Sequence, residues 1–387
     1  MEGRDPGSPG TQSVSVCFVG TYPPSRCGIA TFTERLVKGF AALSGFEIGV
    51  ARVLQSIEYR PSHLPEVIGA FHPDDPAAVR AITRRMGSFD VAVLQHEFGI
   101  YGRDEGIAVC DLLDLLTVPV VSVVHTVLRR PSTRQRHIVE HLADRSTAVV
   151  ALSQATVRHL EDAYDVDGNK VVAIPHGAHW SLGPRALCLR PTILTWGLIS
   201  PPKGIERGIL AMRGLRDMTP SPAYLVVGRT HPLVLELEGE RYRRGLEDLV
   251  LRHSLGDMVE FVPTYLDIAA LAEVVASAHV VLLPYAAPEQ VSSGVLSEAL
   301  AAGKPVVATR FSHAEELLGT GAGIVVDDGD IGAMTIALRT LLADNQAYER
   351  ASAEARRVAD RFKWSDVTRR YAELSMQVAA GHDIAVA

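Results

Sequence analysis

Short runs of apolar residues alternate along the chain with longer stretches in which apolar residues recur every three or four positions. The short runs are rich in valine and isoleucine and are almost free of polar residues, as in strands that are buried on both faces of a sheet. The longer stretches have the period of a helix that packs one face against a core. This alternation predicts parallel sheets covered by helices on both sides.

The pattern predicts one series of strands in each half of the chain. The first series comprises residues 14–20, 46–54, 90–97, 119–126, 147–153 and 170–177. The second comprises residues 191–197, 223–228, 259–263, 279–285, 304–311 and 323–327. Helical periods cover residues 30–43, 106–116, 132–144, 154–163, 238–253, 268–277, 293–302, 330–343 and 346–360, and a further helix begins near Ile205.

An irregular segment, AHWSLGPRALCLRP, separates the two series. A chain of 387 residues is also longer than one ordinary core requires. The sequence therefore predicts an α/β fold with two Rossmann-like parallel-sheet domains, over residues 14–180 and 181–363. Ligands of such sheets bind at the carboxyl ends of strands, where the strand order reverses. A central crevice that both domains face is the expected binding site.

Composition narrows the class of protein. The first thirteen residues are polar with scattered glycine and proline, so residues 1–13 are expected to be a disordered tail. The net charge of −7 gives no reason to expect a nucleic-acid partner. No apolar run reaches the roughly 18–20 residues of a membrane span, and no basic amphipathic helix is prominent. Peripheral contact is then the only membrane association left to consider.

Four cysteines lie far apart and form no CxxC pair: Cys17, Cys27, Cys110 and Cys188. This spacing matches neither a metal-binding cluster nor the disulfide framework of a secreted domain. We therefore expect a reduced, cytoplasmic protein.

Three turns in the first half of the chain have candidate chemistry. In GTYPPSRCGIATF, Gly28 allows close approach of the backbone, and the following helix start favours an anionic or oxygen-rich group. A plain tight turn is the alternative. His96 and Glu97 end one apolar strand and His125 ends the next. The two histidines are either site residues that converge on one ligand or hydrogen-bonded structural groups, and no third metal ligand is evident.

Two turns in the second half favour a phosphate. In WGLISPPKGIERG, Lys203 can reach a phosphate as a point charge, although an exposed turn lysine is the alternative. In PEQVSSGVLSEALAAGKPVVATRF, Ser292 or Ser293 can cap a helix whose first N–H groups then need acceptors. A phosphate would satisfy them. Glu298 lies too far into this helix for a capping box, but its carboxylate can accept hydrogen bonds from ribose hydroxyls. An ordinary capped helix with an exposed glutamate is the alternative.

In their order along the chain, these motifs resemble those of the retaining GT-B glycosyltransferases called family 4, or glycosyl transferases group 1. The resemblance extends from about Val14 to about Gln377 and is most specific in PYAAPEQVSSGVLSEALAAGKPVVATRFSHAEELL. Its other parts are TYPPSRCGIATF, QHEFGIYG, VVHTV, IPHG, WGLISPPKGIE, LVVGRTHP and FKWSDV.

The resemblance implies a retaining hexosyltransferase that moves a sugar from a UDP- or GDP-linked donor to a hydroxyl of a sugar or glycoconjugate acceptor. The first domain would hold the acceptor, on the side of His96 and Glu97, and the second would hold the donor. Residues 364–387, beginning at Trp364, would form a helix that packs back on the first domain. Since no DxD stands at the end of a predicted strand, no metal is expected.

The resemblance also implies a set of site residues. Its catalytic residues are His125, Lys203 and Gln290. Its donor-binding residues are Gly28, Gly197, Lys203, Arg229, Glu289, Gln290, Ser293, Gly294, Val295, Leu296 and Glu298. Within this set, Lys203 would contact the diphosphate, Glu298 the ribose, and His125 the donor sugar.

Two positions depart from the family pattern. The Glu-x7-Glu motif has Gln290 at its first position, with Glu289 one place away. A glutamine can bind sugar hydroxyls but carries no charge to stabilise a cation-like sugar. The arginine that usually precedes the phosphate lysine is also missing, and Arg229 is its candidate replacement. The alternative functions are a catalytically weak or silent nucleotide-sugar-binding protein, and another GT-B enzyme such as an epimerase or a phosphorylase.

Overall fold

A computed structural model of the protein describes residues 13–25, 27–55, 64–178, 190–286 and 292–382. The chain forms two compact units, each built on one parallel sheet. The first unit comprises Met1–Ile174 and Trp364–Ala387, and the second comprises Pro175–Lys363. The predicted α/β fold with two Rossmann-like sheets is confirmed. The expected tail over residues 1–13 lies outside the described ranges, except for its last residue.

Within the described ranges, the sheet of the first unit has seven parallel strands. They are β1 (Val14–Gly20), β2 (Phe46–Val53), β3 (Val67–Phe71), β4 (Val91–His96), β5 (Val120–Val124), β6 (Ala148–Ala151) and β7 (Val171–Ala173). Their spatial order is β3-β2-β1-β4-β5-β6-β7, so the strand order reverses between β1 and β4. The carboxyl ends of these two strands are where such a sheet presents a ligand site.

Two cores, one on each face of this sheet, explain why its strands are uninterrupted apolar runs. Alternate residues of β1 enter opposite cores, since Val16 and Phe18 belong to one cluster and Cys17 and Val19 to the other. All six residues of β4 are buried. A strand that is covered on both faces has no solvent side and therefore shows no alternation of polar positions.

Among the described residues of the first unit, five α-helices come before the second unit in the chain. They are α1 (Gly28–Ala41), α2 (Pro76–Met86), α3 (Ala108–Leu115), α4 (Thr133–Arg145) and α5 (Gln154–Ala163). Ser132 and Gln135 form a capping box at the start of α4. α1 begins at Gly28, earlier than its apolar period suggests, because the Cys27 thiol accepts a hydrogen bond from the backbone N–H of Ala30.

In the part of the second unit that the structure describes, the sheet has six parallel strands. They are β8 (Thr192–Trp196), β9 (Ala223–Val227), β10 (Val259–Val262), β11 (Val280–Leu283), β12 (Val306–Thr309) and β13 (Gly323–Val326). Their order, β10-β9-β8-β11-β12-β13, is that of the Rossmann fold and reverses between β8 and β11. The helices are α6 (Ile205–Met212), α7 (Pro232–Glu238), α8 (Arg241–Arg252), α9 (Ile268–Ser277), α10 (Gly294–Ala301), α11 (Ser312–Leu317), α12 (Ile331–Ala343) and α13 (Asn345–Ala359).

The last described helix, α14 (Trp364–Ala379), belongs to the first unit and packs against α1. The Phe32 ring of α1 lies 5.3 Å from the Trp364 ring and 6.4 Å from the Tyr371 ring, measured between centroids. Edge-to-face pairs of this kind stabilise a helix interface beyond the area they bury. Among the described helices, none has both the length and the apolar content that crossing a lipid bilayer demands.

Among the described strands and α-helices, four have no counterpart in the sequence prediction: β3, α2, α7 and α11. β3 is an edge strand in which four of five residues are only partly buried, so its apolar signal is weak. α11 has six residues, too few to show a helical period. The predicted helix over residues 238–253 begins late, because Gly239 has a φ of 62° and ends α7 before α8 starts.

The contact between α1 and α14 predicts an unusual effect of alanine in a helix. A Cβ atom at Gly39 would overlap the Thr368 side chain of α14. Although alanine has the higher helix propensity, we expect Gly39→Ala to lower the free energy of unfolding by about 1–3 kcal/mol, because overpacking costs more than propensity gains. Denaturant unfolding measures this change.

A matched glycine supplies the control. Gly245 lies exposed in α8, and a Cβ atom there would meet no described atom within 4 Å. Gly245→Ala should therefore raise stability by up to about 1 kcal/mol. If both substitutions raised stability equally, the close packing of α1 on α14 would be wrong.

Candidate functional site

In the first unit, the turn between β1 and α1 leads into the helix start that the sequence singles out. Gly28 is the first residue of α1, and a Cβ atom added there would meet no described atom within 4 Å. Cys27 precedes it, with its thiol 3.4 Å from the Ala30 nitrogen and 3.2 Å from the Thr21 hydroxyl. The helix start at Gly28 is thus ordered by a cap and is not covered by the described side chains.

His96 ends β4 but lies wholly inside the core. Its ring is 4.9 Å from the Phe98 ring and stacks on Tyr101. Burial lowers the pKa of His96 to about 4, so the imidazole is neutral. Neither ring nitrogen has a hydrogen-bond partner within the described part of the chain. The structure therefore places this predicted acceptor-side residue among aromatic core groups.

Glu97 links the carboxyl ends of β4 and β5. Its carboxylate accepts hydrogen bonds from the backbone N–H of Phe98, at 3.1 Å, and from the hydroxyl of Thr126, at 2.5 Å. Burial raises the pKa of Glu97, while these hydrogen bonds oppose the shift. The two hydrogen bonds fix the position of the Glu97 carboxyl group between the ends of β4 and β5.

His125 lies just past β5 and is held by the neighbouring strand. Its Nε2 atom is 2.8 Å from the Gln95 side-chain oxygen, and its backbone N–H donates to the His96 carbonyl at 3.0 Å. The Phe32 ring meets the imidazole edge-on, 5.0 Å away. Gln95 was not identified from the sequence. Its signal is a glutamine inside an apolar strand, where a buried amide requires a partner.

In the second unit, Lys203 comes from the turn after β8 and meets the turn after β11. It ends a short 3-10 helix, Pro201–Lys203, and Gly204 follows with a φ of 59°. A Cβ atom at Gly204 would overlap the Pro284 carbonyl, so the two turns touch only because this residue is glycine. The Lys203 ammonium nitrogen lies 3.3 Å from the Tyr285 hydroxyl and 4.3 Å from the centre of that ring.

The cap of α10 is Ser293, which decides between the two serines that the sequence offers. Its hydroxyl accepts a hydrogen bond from the Leu296 N–H at 3.3 Å and lies 3.2 Å from the Tyr285 hydroxyl. Its backbone N–H donates to Nδ1 of His313 at 3.1 Å. Gly294 and Val295 complete the first turn of α10. Lys203 and the start of α10 therefore share one hydrogen-bonded network.

Two histidines that the sequence interpretation left out flank this helix start. His176 lies so close that a Cβ atom at Gly294 would be 2.9 Å from its Nε2 atom. Its Nδ1 lies 2.7 Å from the Gly177 carbonyl, to which it donates. Burial lowers the pKa of His176 to about 4 and that of His313 to about 3, with His176 adding to the effect at His313. Both imidazoles are therefore neutral and add no positive charge to that of Lys203.

Glu298 lies one turn inside α10 and is partly buried. Burial raises the pKa of Glu298 to about 7, although a hydrogen bond from Trp196, the last residue of β8, favours the charged form. The indole N–H is the only hydrogen-bonding group of a tryptophan side chain and can only donate. The carboxyl group is thus poised to change its charge near neutral pH.

The remaining predicted residues differ in what they contact. Gly197 has a φ of 124°, and its carbonyl lies against Gly228 at the end of the next strand. The side chain of Arg229 is exposed and makes no ion pair with the described residues. The guanidinium buried at this point is that of Arg243, which donates to the Gly228 carbonyl and the Thr230 hydroxyl.

Glu289 and Gln290 lie outside the described residues, as does Cys188. No group of three or more potential metal ligands occurs within the described ranges.

The three buried neutral histidines predict a loss of stability in mild acid. The pKa values of His96, His176 and His313 are about 4, 4 and 3 in the folded chain, against 6.5 for an ordinary histidine. Below 6.5 the unfolded chain binds protons that the folded chain does not, so the free energy of unfolding falls with pH. Each histidine contributes at most about 1.4 kcal/mol per pH unit. Denaturant unfolding at about pH 7 and about pH 5 measures the loss.

A single variant isolates one of these groups. His96→Phe keeps an aromatic ring in the same core and should lose less stability than the original protein over the same pH interval. His137→Gln, which replaces a histidine at an exposed position of α4, is the control for the substitution itself. An unchanged acid sensitivity of His96→Phe would contradict a neutral buried His96.

Two family models match this chain and together cover most of it. The model for Glycosyltransferase Family 4 matches residues 27–179. The model for Glycosyl transferases group 1 matches residues 189–358. The first match falls on the first unit and the second on the second unit, so each sheet has its own counterpart in this family.

Curated relatives extend along most of the chain. A GDP-mannose-dependent alpha-(1-6)-phosphatidylinositol dimannoside mannosyltransferase of Mycobacterium tuberculosis is 26% identical over 381 residues, with 89% of this chain and 91% of that protein covered. A D-inositol 3-phosphate glycosyltransferase of Jonesia denitrificans is 29% identical over 291 residues, with 65% of this chain and 64% of that protein covered.

Solved structures share the two-sheet fold. Sucrose-phosphate synthase from Thermosynechococcus elongatus aligns with a TM-score of 0.76 at 19% identity, over 95% of this chain and 100% of its own. Anabaena HepE, solved with UDP and glucose, aligns with a TM-score of 0.73 at 18% identity, over 94% of this chain and 100% of its own.

Proposed function

Since the chain belongs to the group 1 glycosyltransferases, enzymes of the GT-B fold that transfer a sugar from a nucleotide sugar, we propose that it is a retaining, metal-independent hexosyltransferase. The observation that carries the proposal is the shared network of Lys203 and the start of α10 at the reversal point of the second sheet. A nucleoside diphosphate is the leaving group in this reaction, and it needs positive charge at that point.

The network supports a diphosphate site for two reasons. Negative charge develops on the diphosphate as the sugar leaves, and preorganised donors stabilise it most effectively. Lys203 supplies a full charge, and the start of α10 adds the roughly half a charge of a helix dipole. Because both come from the chain itself, the proposed reaction needs no metal ion to neutralise the leaving group.

The ribose of the donor is proposed to bind Glu298. Vicinal hydroxyls can donate two hydrogen bonds to one ionised carboxylate. Acidic residues bind ribose in this way in other Rossmann-like sites. Glu298 and Trp196 stand beside the same reversal point as Lys203, which supports a single donor site. Because its pKa is about 7, Glu298 would bind ribose in its charged form only above neutral pH.

Donor and acceptor classes follow from the relatives by analogy. The Mycobacterium tuberculosis relative is named for GDP-mannose, which makes GDP-mannose the first donor to test and UDP-glucose the comparison. The acceptor is proposed to be a hydroxyl of a sugar or glycoconjugate, bound by the first unit on the side of Glu97 and His125. Retention would require the acceptor to attack from the face that the diphosphate leaves.

A nucleotide-sugar-binding protein with weak or no turnover is the second candidate. Gln290 stands where the family usually has a glutamate, and an amide stabilises a cation-like sugar less than a carboxylate does. Donor binding without transfer or hydrolysis, under any acceptor, would favour this candidate over the enzyme.

Lys203→Met tests the diphosphate site. The variant keeps most of the side-chain volume and removes the charge, so kcat/KM for the nucleotide sugar should fall by about 100-fold or more. Lys38→Met is the control, since Lys38 is an exposed residue of α1 that pairs with Glu34. Unchanged turnover in Lys203→Met, with the fold intact, would remove Lys203 from the site.

Glu298 predicts a pH dependence of donor binding. If only the carboxylate binds ribose, affinity should rise about tenfold between pH 6 and pH 8 for a pKa of about 7. Titration calorimetry with a nucleotide sugar is the measurement, because the diphosphate of an intact sugar donor keeps its charge over this interval. Glu298→Gln should bind more weakly and show a flat profile. Should the profile of Glu298→Gln keep the same slope, another group controls the binding.

A further inference from the structure

Tyr285 lies at the reversal point of the second sheet, and the family resemblance assigns it no role. It follows β11 and is 3% exposed, so the sequence pattern treats it as the end of an apolar strand. Its hydroxyl lies between two groups of the proposed diphosphate site, 3.3 Å from the Lys203 ammonium and 3.2 Å from the Ser293 hydroxyl. A buried tyrosine hydroxyl needs a partner, and here both neighbours belong to the site.

The chemistry of the three groups sets the direction of the hydrogen bonds. A lysine ammonium only donates, so the Tyr285 oxygen accepts from Lys203. The phenol proton is then available for the Ser293 oxygen, which also accepts from the Leu296 N–H. The result is a chain of hydrogen bonds from the ammonium to the first turn of α10. Each bond polarises the next, so the chain strengthens as a whole.

The tyrosine is itself held rigidly. Its carbonyl accepts hydrogen bonds from the Arg207 guanidinium at 3.0 Å and from the Thr309 hydroxyl at 2.8 Å. Its ring stacks on Phe311, with centroids 5.5 Å apart and planes at 28°. The ammonium of Lys203 lies 4.3 Å from the ring centre, within range of a cation–π interaction. A fixed aromatic ring thus gives the flexible lysine stem one preferred position.

We propose that Tyr285 is a positioning residue of the donor site. It holds the Lys203 ammonium and the start of α10 at the relative position in which both can bind one diphosphate. The inference rests on the proposed function. With one N–H engaged by Tyr285, the ammonium keeps two donors for phosphate oxygens. The N–H groups of Gly294 and Val295, which make no hydrogen bond to the described residues, are the backbone donors that remain. A lysine that is ordered beforehand loses less freedom when the ligand binds.

Tyr285→Phe removes only the hydroxyl and keeps the ring, its stacking and the cation–π contact. With UDP and GDP as the probes, we expect the Kd of the better-bound nucleotide to rise about three- to tenfold, the size of one ordinary hydrogen bond, because the lost bond is made to the lysine and not to the ligand. In a Lys203→Met background the same change should alter Kd by less than about twofold, because the group it positions is gone. Calorimetric titration of the four proteins gives this coupling.

Tyr224→Phe is the matched control. Tyr224 is a buried tyrosine of β9 whose hydroxyl lies 2.9 Å from the Thr195 hydroxyl, so its loss removes a comparable bond in the same sheet. We expect it to lower Tm without changing Kd. Ser293→Ala cuts the proposed chain one link further along and gives a second measurement if Tyr285→Phe does not fold. It should also weaken nucleotide binding.

The outcomes separate the inference from the function on which it rests. If the original protein binds neither UDP nor GDP, the proposed donor site fails and the role of Tyr285 fails with it. If the original protein binds and Lys203→Met weakens binding, but Tyr285→Phe and Ser293→Ala do not, the positioning role alone is overturned. An equal effect of Tyr285→Phe with and without Lys203 also overturns it, since the tyrosine would then act independently of the lysine.

Discussion

Burial of both faces of each parallel sheet is the constraint on which the rest of the structure depends. A strand such as β4, with all six residues buried, has no surface on which to place a charged group. Most polar groups of the candidate site therefore lie at the strand ends and in the turns that follow them. The strand order then decides which ends become neighbours, and in each sheet it reverses at one pair of strands. Lys203, Tyr285 and Glu298 are all found around the pair β8 and β11.

The charge around this pair of strands in the second unit depends on which side chains are buried. The imidazoles of His176 and His313 are kept neutral by burial, so they shape the start of α10 and accept or donate hydrogen bonds without adding charge. Lys203 remains the cation that faces the Ser293 network. Glu298 is the group whose charge changes near neutral pH. The electrostatic balance between the lysine and the glutamate is thus set by the burial of the glutamate.

Much of the fold was predictable because its strands are uninterrupted apolar runs. Each such run can be recognised from its own residues, without knowledge of the strands that pair with it. The edge strand β3 was not, since most of its residues are only partly buried. In the second unit, Lys203, Ser293 and Glu298 could be identified from the sequence because each is a polar residue next to, or just inside, the start of a helix. Tyr285 and His313 give no such local signal. Their importance comes from contacts between turns distant in sequence, such as the 3.1 Å bond from Ser293 to His313, which only the folded chain creates.

The hydrogen bond between Trp196 and Glu298 has a consequence for how the molecule is observed. The chain has three tryptophans, and among the described residues Trp364 lies in the first unit while Trp196 lies in the second. Indole emission responds to the polarity and charge around the ring. Trp196 is therefore a native fluorophore placed against the carboxyl group proposed to receive the pentose, so a pentose bound there would change the surroundings of an intrinsic probe, with no dye or label attached.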